Sequence, residues 1–365
     1  MKFECVKSVL EESVSIVSKI AGKHTSLPVL SCVKVEAHKG VVRIAATNLD
    51  MGIVFSVPAK VSSEGVVAVS GSVLSAFLSS SGKEKNVTLE VFQGNLRVIG
   101  SKSSTVIKAV PHDDFPEIPK PDSTTSFSLP AQELLSGLSS VSHFSAVSAV
   151  KPELASVCVY SDPDWIYFVA TDSFRLGEKR IKAKKTPEFK VLIPGKNIPE
   201  MMRVLSQAGG DIVVSIHDHQ LSVSNDSMFV VSRLVEGSFP DYKQIIPKNH
   251  TSSVIALKED LSQVFKALSV FSDKFNQLHV GVFPKDKRIE FSSKNNDVGE
   301  SHHAIPATLT GEALEVNFNI RYLIDCLPVI GSDSVSLEFS GVGKPLVIRG
   351  VGDSTFLHLV MPMNK

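Results

Sequence analysis

The sequence is poor in cysteine, and its four, Cys5, Cys32, Cys158 and Cys326, stand singly, most of them beside Val or Leu. No CxxC spacing occurs, so a zinc or redox site is not indicated, and buried reduced thiols are the expectation. Charge of one sign is also missing: Lys+Arg and Asp+Glu both total 38. That balance excludes a simple basic nucleic-acid binder. No apolar run approaches the ~18 residues of a membrane span. Glu4, Glu11 and Glu12 interrupt the stretch where a secretory leader needs an apolar core, which points to the cytoplasm. GxxxxGK[ST], GxGxxG and GxSxG are all absent, and with them the phosphate loop, the dinucleotide fold and the hydrolase elbow.

What is present is a long internal repeat. Ala170-Thr171-Asp172-Ser173-Phe174-Arg175-Leu176 has a paler copy at Ala46-Thr47-Asn48-Leu49-Asp50, 124 positions earlier. The same offset sets Leu30, Val33 and Val35 on Leu154, Val157 and Val159, Gly71 on Gly195, and Phe115-Pro116 on Phe239-Pro240. Val280 and Val282 continue the series, 123 positions after Val157 and Val159. A period this long means duplicated domains rather than solenoid units. The expected division is 1–124, 125–252 and 253–365.

Each copy reads as strand, helix, strands, helix, strands, an α+β unit. In the first, Val6, Leu10, Val14, Val17 and Ile20 recur at helical spacing, with Ser8 and Glu11 placed as a capping box. Val33, Val35 and Ala37, then Val42, Ile44 and Ala46, alternate around Lys39-Gly40 as a hairpin. Ser72 to Ser80 is a second helix, and Gly94-Asn95 marks another hairpin. In the second copy Pro130 suits the first turn of a helix carrying Leu134, Leu138 and Val141, and a later helix buries Met201 and Met202. In the third, Leu261, Val264, Phe265 and Leu268 form the first helix face, and Ile320 to Leu327 the second. Border strands of such units would leave backbone groups unpaired, so sheets are expected to run on from repeat to repeat and from one subunit into the next, closing a ring.

Thr171-Asp172 beside Arg175 joins a hydroxyl to an acid, but no histidine lies near in sequence to act as base. A turn in which Asp172 accepts local backbone N–H groups and Thr171 ends a strand uses the same residues. His217-x-His219 and His302-His303 lack a Cys or carboxylate at ligand spacing and read as surface histidines. No active site, metal or cofactor is indicated. Met361 and Met363 flank Pro362 where a terminus is usually polar. Such flexible apolar side chains suit a groove for varied partners, or a last strand docked on the core.

The repeat, Ala-Thr-Asp-x-x-Arg-Leu at 170–176, Ser238-Phe239-Pro240-Asp241-Tyr242 and the ending Val360-Met361-Pro362-Met363 together resemble the bacterial DNA polymerase III beta subunit, the sliding-clamp family. The resemblance covers the whole length. It implies a non-enzymatic processivity factor, a head-to-tail homodimer of three-domain crescents closed into a six-domain ring around double-stranded DNA. Such a ring holds by topology, so a neutral composition is compatible with it. The resemblance also implies a cleft between the second and third domains that takes short motifs from the polymerase III catalytic subunit, the clamp loader and repair polymerases. Carried over, its residues are Leu154, Thr171, Arg175, Leu176, Pro240, Ile245, Val360, Met361, Pro362 and Met363. Ser173 and Phe174 stand where the family commonly has Gly and His, and Gln244 where a basic residue is common, which implies an altered peptide preference. By position, Lys23, His24 and Lys196 are the implied DNA contacts. Ile107, Val270 and Phe271 are the implied subunit contacts, apolar residues that a lone chain leaves partly exposed. No cofactor and no membrane enters this picture.

Overall fold

The computed structural model describes residues 1–22, 27–82, 84–101, 103–120, 125–183 and 186–363. Helical spacing of apolar residues gives α1 (Lys7–Ile20), α2 (Gly71–Ser80), α3 (Ala131–Val141), α4 (Ile198–Gln207), α5 (Lys258–Ser269) and α6 (Ile320–Cys326). Most of the remaining chain is antiparallel strand. Its contacts divide it into two compact units, residues 1–136 with 193–235, and residues 137–192 with 236–365.

The first unit holds a 13-stranded sheet. Its longest strand, Met51–Ser63, pairs with Val41–Thr47 of its own repeat, and Met51–Phe55 also pairs with Met228–Arg233 of the second repeat. α1 packs on α2 and reaches α4. The second unit holds a nine-stranded and a four-stranded sheet. Here Arg175–Lys182 pairs on one side with Trp165–Thr171 and on the other with Phe356–Val360 of the third repeat. Strands therefore do continue from repeat to repeat. That continuity is why the compact units cut across the repeats.

Several local expectations are corrected by tertiary contacts. Ser8 lies inside α1 and caps nothing; the helix starts at Lys7, whose N–H donates to the Lys85 carbonyl (3.0 Å) and whose Nζ donates to the Gly82 carbonyl (3.0 Å). Loop carbonyls thus do the work assigned to a capping box. Pro130 ends the strand Thr125–Pro130, which stands at a sheet end where a missing N–H is harmless. Met201 is fully buried, whereas Met202 is half-buried at the rim of its helix face. The four cysteines are free and buried, and burial pushes the thiols of Cys5 and Cys158 up to about 12, far from thiolate chemistry.

Under the Arg175 strand, the second unit's core is built on Phe144 and Phe168, both fully buried. Phe144 lies against Gly177 so closely that any Cβ there would enter its ring, and it stacks on His358 at 4.4 Å. Gly177→Ala is therefore expected to destabilise this unit by about 2 kcal/mol or more. A urea or thermal unfolding midpoint unchanged from wild type would contradict the packing described.

Candidate functional site

The site grows from one turn. Thr171 Oγ1 donates to the Arg175 carbonyl (2.7 Å) and accepts from the Ser173 N–H (3.2 Å); Asp172 Oδ1 accepts from the N–H groups of Phe174 and Arg175 (both 3.0 Å). Thr47 and Asn48 make the same four bonds in the first repeat, to Met51, Leu49, Asp50 and Met51 again. Ser173 (φ 79°) and Leu49 (φ 72°) occupy the same left-handed position. The repeat is thus a repeat of geometry, held by side chains that replace backbone bonds in a tight turn.

What distinguishes the second copy is Arg175. Its Nε donates to Asp172 Oδ2 (2.9 Å), one terminal nitrogen to Asp325 Oδ2 (2.6 Å), and the other to the His143 carbonyl (3.0 Å). The guanidinium also lies over the rings of Tyr322 (4.6 Å) and Phe144 (5.5 Å). A planar fork with its donors shared among three acceptors is a rigid joint between the turn and α6 rather than a free cation. Thr171, Asp172 and Arg175 are consumed in holding the turn, and His143 joins them through its carbonyl.

Strand register decides which side chains share a surface. Thr171 faces Leu176, and Leu176 faces Leu359, so these three lie on one side of the sheet. Val360 faces Arg175 and lies on the other side, fully buried. Leu359 therefore shares the side of Thr171 and Leu176. Beyond the strand, the Met361 N–H donates to the Phe174 carbonyl (2.8 Å) and the Met363 N–H to the Asn317 carbonyl (2.8 Å), which leaves Met361, Pro362 and Met363 half-buried.

Pro240 and Ile245 are exposed on the connector that follows, and Tyr242 fixes it. Its buried hydroxyl meets the Tyr160 hydroxyl (2.6 Å) and donates to Glu178, two residues along the strand from Leu176 and on the same side. Burial, reinforced by the Glu178 charge, raises the Tyr242 pKa and keeps the phenol neutral. Leu154 is buried in the turn before Ser156–Ser161, its carbonyl accepting from the Ala146 N–H (2.9 Å). At the rim Phe174 is 62% exposed, and Gln244 donates to Asp241 Oδ2 (2.6 Å).

The other expected residues scatter. Lys23 and His24 lie outside the described residues. Lys196, just before α4, is exposed and paired with Asp50 Oδ2 at 2.5 Å. Ile107 was expected to be partly exposed, but it is 5% exposed: along Ser104–Ile107 it points inward, and Val106, at 52%, points out. Val270 is 64% exposed and Phe271 half-buried after α5. Among the described residues no group of three His, Cys, Asp or Glu side chains is placed to hold a metal, and no helix is long and apolar enough to cross a membrane.

Models of the N-terminal, central and C-terminal domains of the DNA polymerase III beta subunit match residues 1–119, 128–241 and 243–364 in turn. The chain belongs to this family. It has three tandem clamp domains of helices and antiparallel sheets. The "Beta sliding clamp" of Synechococcus elongatus is 28% identical over 371 residues, covering 100% of this chain and 99% of that protein. The relative of the same name in Bacillus subtilis is 26% identical over 378 residues, with 100% and 99% covered. In fold, the DNA polymerase III beta subunit of Thermotoga maritima superposes with a TM-score of 0.94 at 24% identity, covering 100% of this chain and 99% of that one.

On the side of the sheet opposite the Leu176 side chain, His358 is fully buried between two carbonyl oxygens, Leu176 (3.0 Å from Nδ1) and Tyr322 (3.1 Å from Nε2). Burial pushes its pKa down to about 3, against the pull of both carbonyls, with Arg175 and His143 adding to the depression. A histidine kept neutral in the fold but protonated when unfolded contributes stability that is complete above pH ~6.5 and is lost as pH falls toward 3. By pH ~5 the loss is expected to be about 1–2 kcal/mol. An unfolding series from pH 7 to 5 on wild type and His358→Gln checks this; equal pH slopes in the two proteins would refute it.

Proposed function

We propose that this chain is a sliding clamp: two copies join head to tail into a ring around duplex DNA, and each tethers replication and repair proteins through the cleft around Leu176. The observation that supports the reading is that sheets of the first and of the third repeat each end in a strand with an open edge. The 13-stranded sheet runs out at Ser104–Ile107 and the four-stranded sheet at Gly299–Pro306. Edge strands with free N–H and C=O groups require a partner, and pairing one copy's first end with the next copy's last is a heterologous contact that closes on rotation. Val106, Val270 and Phe271 are the apolar side chains of that contact, with Ile107 behind Val106. The domains are taken as 1–124, 125–252 and 253–365, the second boundary lying about ten residues beyond the point where the central family model gives way to the C-terminal one.

DNA is held by enclosure. Lys196, together with Lys23 and His24, supplies loose phosphate contacts, and an exposed pair such as Lys196–Asp50, worth under about 1 kcal/mol, yields readily to a phosphate. The protein acts in the cytoplasm as a platform, with no reaction of its own and no cofactor. The cleft comprises Leu154, Thr171, Leu176, Pro240, Ile245, Leu359 and Met361 to Met363, with Val360 and Arg175 supporting it from behind. The polymerase III catalytic subunit, the clamp loader and repair polymerases are its partners.

The chain is expected to be a dimer by light scattering and, once loaded, to stay on nicked circular DNA and slide off after linearisation. Salt-resistant retention on linear DNA with free ends would sink the ring. Deleting Met361–Lys365 should weaken partner-peptide binding by about 1–3 kcal/mol and leave the dimer intact. Peptide affinity unaltered by that deletion would take the tail out of the site.

A further inference from the structure

The repeat supplies an internal comparison on the sheet faces crossed by the connectors. In the second repeat, Tyr242 lies buried against Tyr160 and Glu178. Shifted by 124 residues, that surface becomes Glu36 and Val54, and Tyr242 becomes Ile118. The strand rows agree, since Cys158, Val169 and Glu178 face one another as Lys34, Ala45 and Val54 do. Ile118, however, turns onto Gly52, where a Cβ would lie only 2.7 Å from its Cγ2. The place of the tyrosine ring is left as an open groove of about 570 Å³.

Ala45 and Val54 floor this groove, and the rings of Phe115 and Phe229 wall it. Lys34 Nζ stands 5.8 Å from the Phe115 centroid and Lys120 Nζ 6.0 Å from that of Phe229. Among the described residues neither ammonium has a carboxylate within ion-pair distance. Glu36 is opposite Arg43 across the strands, and Glu117 and Asp226 also line the groove. The charge pattern accepts one added carboxylate and repels a run of them.

We propose that this groove docks an extended segment of a partner protein in which an acidic residue precedes a tyrosine. The ring enters between Phe115 and Phe229 onto Ala45 and Val54, its hydroxyl donates to Glu36, and the carboxylate meets Lys34 and Lys120. Aromatic burial supplies the affinity, and the two unpaired ammonium groups supply the preference for acid. The chain's own Tyr242 shows such a ring used in cis on the equivalent surface, and the acidic preference rests on Lys34 and Lys120 alone. The site lies within the first unit and does not depend on the clamp reading.

The probe is a fluorescein-labelled peptide with the sequence of residues 237–245, titrated by fluorescence polarisation against the full chain. Saturable binding is expected, weakened about tenfold or more when the peptide tyrosine becomes Ala or when Ile118→Tyr fills the groove in cis. Lys120→Glu, an exposed change that leaves the fold alone, should weaken it several-fold. Removing Met361–Lys365 should leave it unchanged, which separates this groove from the cleft. Absence of binding at millimolar peptide, equal affinity in Lys120→Glu and wild type, or loss of binding with the tail would each overturn the proposal.

Discussion

Backbone hydrogen bonding at strand edges is the constraint on which this molecule depends. A repeat of two helices and several short strands cannot satisfy its own border strands, and two of those borders are satisfied by the next repeat. Met228–Arg233 completes the sheet of Met51–Ser63, and Phe356–Val360 completes that of Arg175–Lys182. The side-chain core then follows the sheets rather than the repeats, which is why the compact units draw strands from neighbouring copies. The same need, left unmet at Ser104–Ile107 and Gly299–Pro306, is the physical ground for an assembly of copies.

Duplication followed by divergence explains how one scaffold carries different surfaces. The Thr171 and Thr47 turns keep identical bonds, yet one is followed by Arg175, wired to Asp172, Asp325 and His143, and the other by a buried Met51. The connectors diverge as well. Tyr242 lies on its sheet beside an opening of about 390 Å³, whereas Ile118 leans onto Gly52 and leaves a larger one of about 570 Å³. A phenol with two acceptors in reach is held in place; a branched aliphatic goes wherever a glycine leaves room.

Much of the fold was legible in the sequence, because period-2 and helical patterns record which side of an element is dry. The 124-residue offset placed the turn, the hairpins and the Phe-Pro connectors correctly, since duplicated chains keep the spacing of their buried residues. Errors came where a distant group replaced a local one. The α1 start is held by carbonyls from 82 and 85 rather than by Ser8, and Ile107 is hidden because a strand hides every second residue. Which of Leu359 and Val360 shares the side of Leu176 was likewise not legible, since only the pairing with Arg175–Lys182 sets that register.

By itself, then, the sequence determined the number of copies, the order of elements within each and the residue types at the turn, because these depend on local periodicity and on contacts repeated at fixed spacing. Tertiary structure alone decided that strands of successive copies share a sheet, that Arg175 is a joint rather than a free cation, and that one connector sets a tyrosine on its sheet while the other turns away and leaves a wider groove. Those outcomes depend on partners far outside any local window, 32 residues away for His143 and Arg175 and 150 for Arg175 and Asp325, and no local pattern encodes a partner at that range.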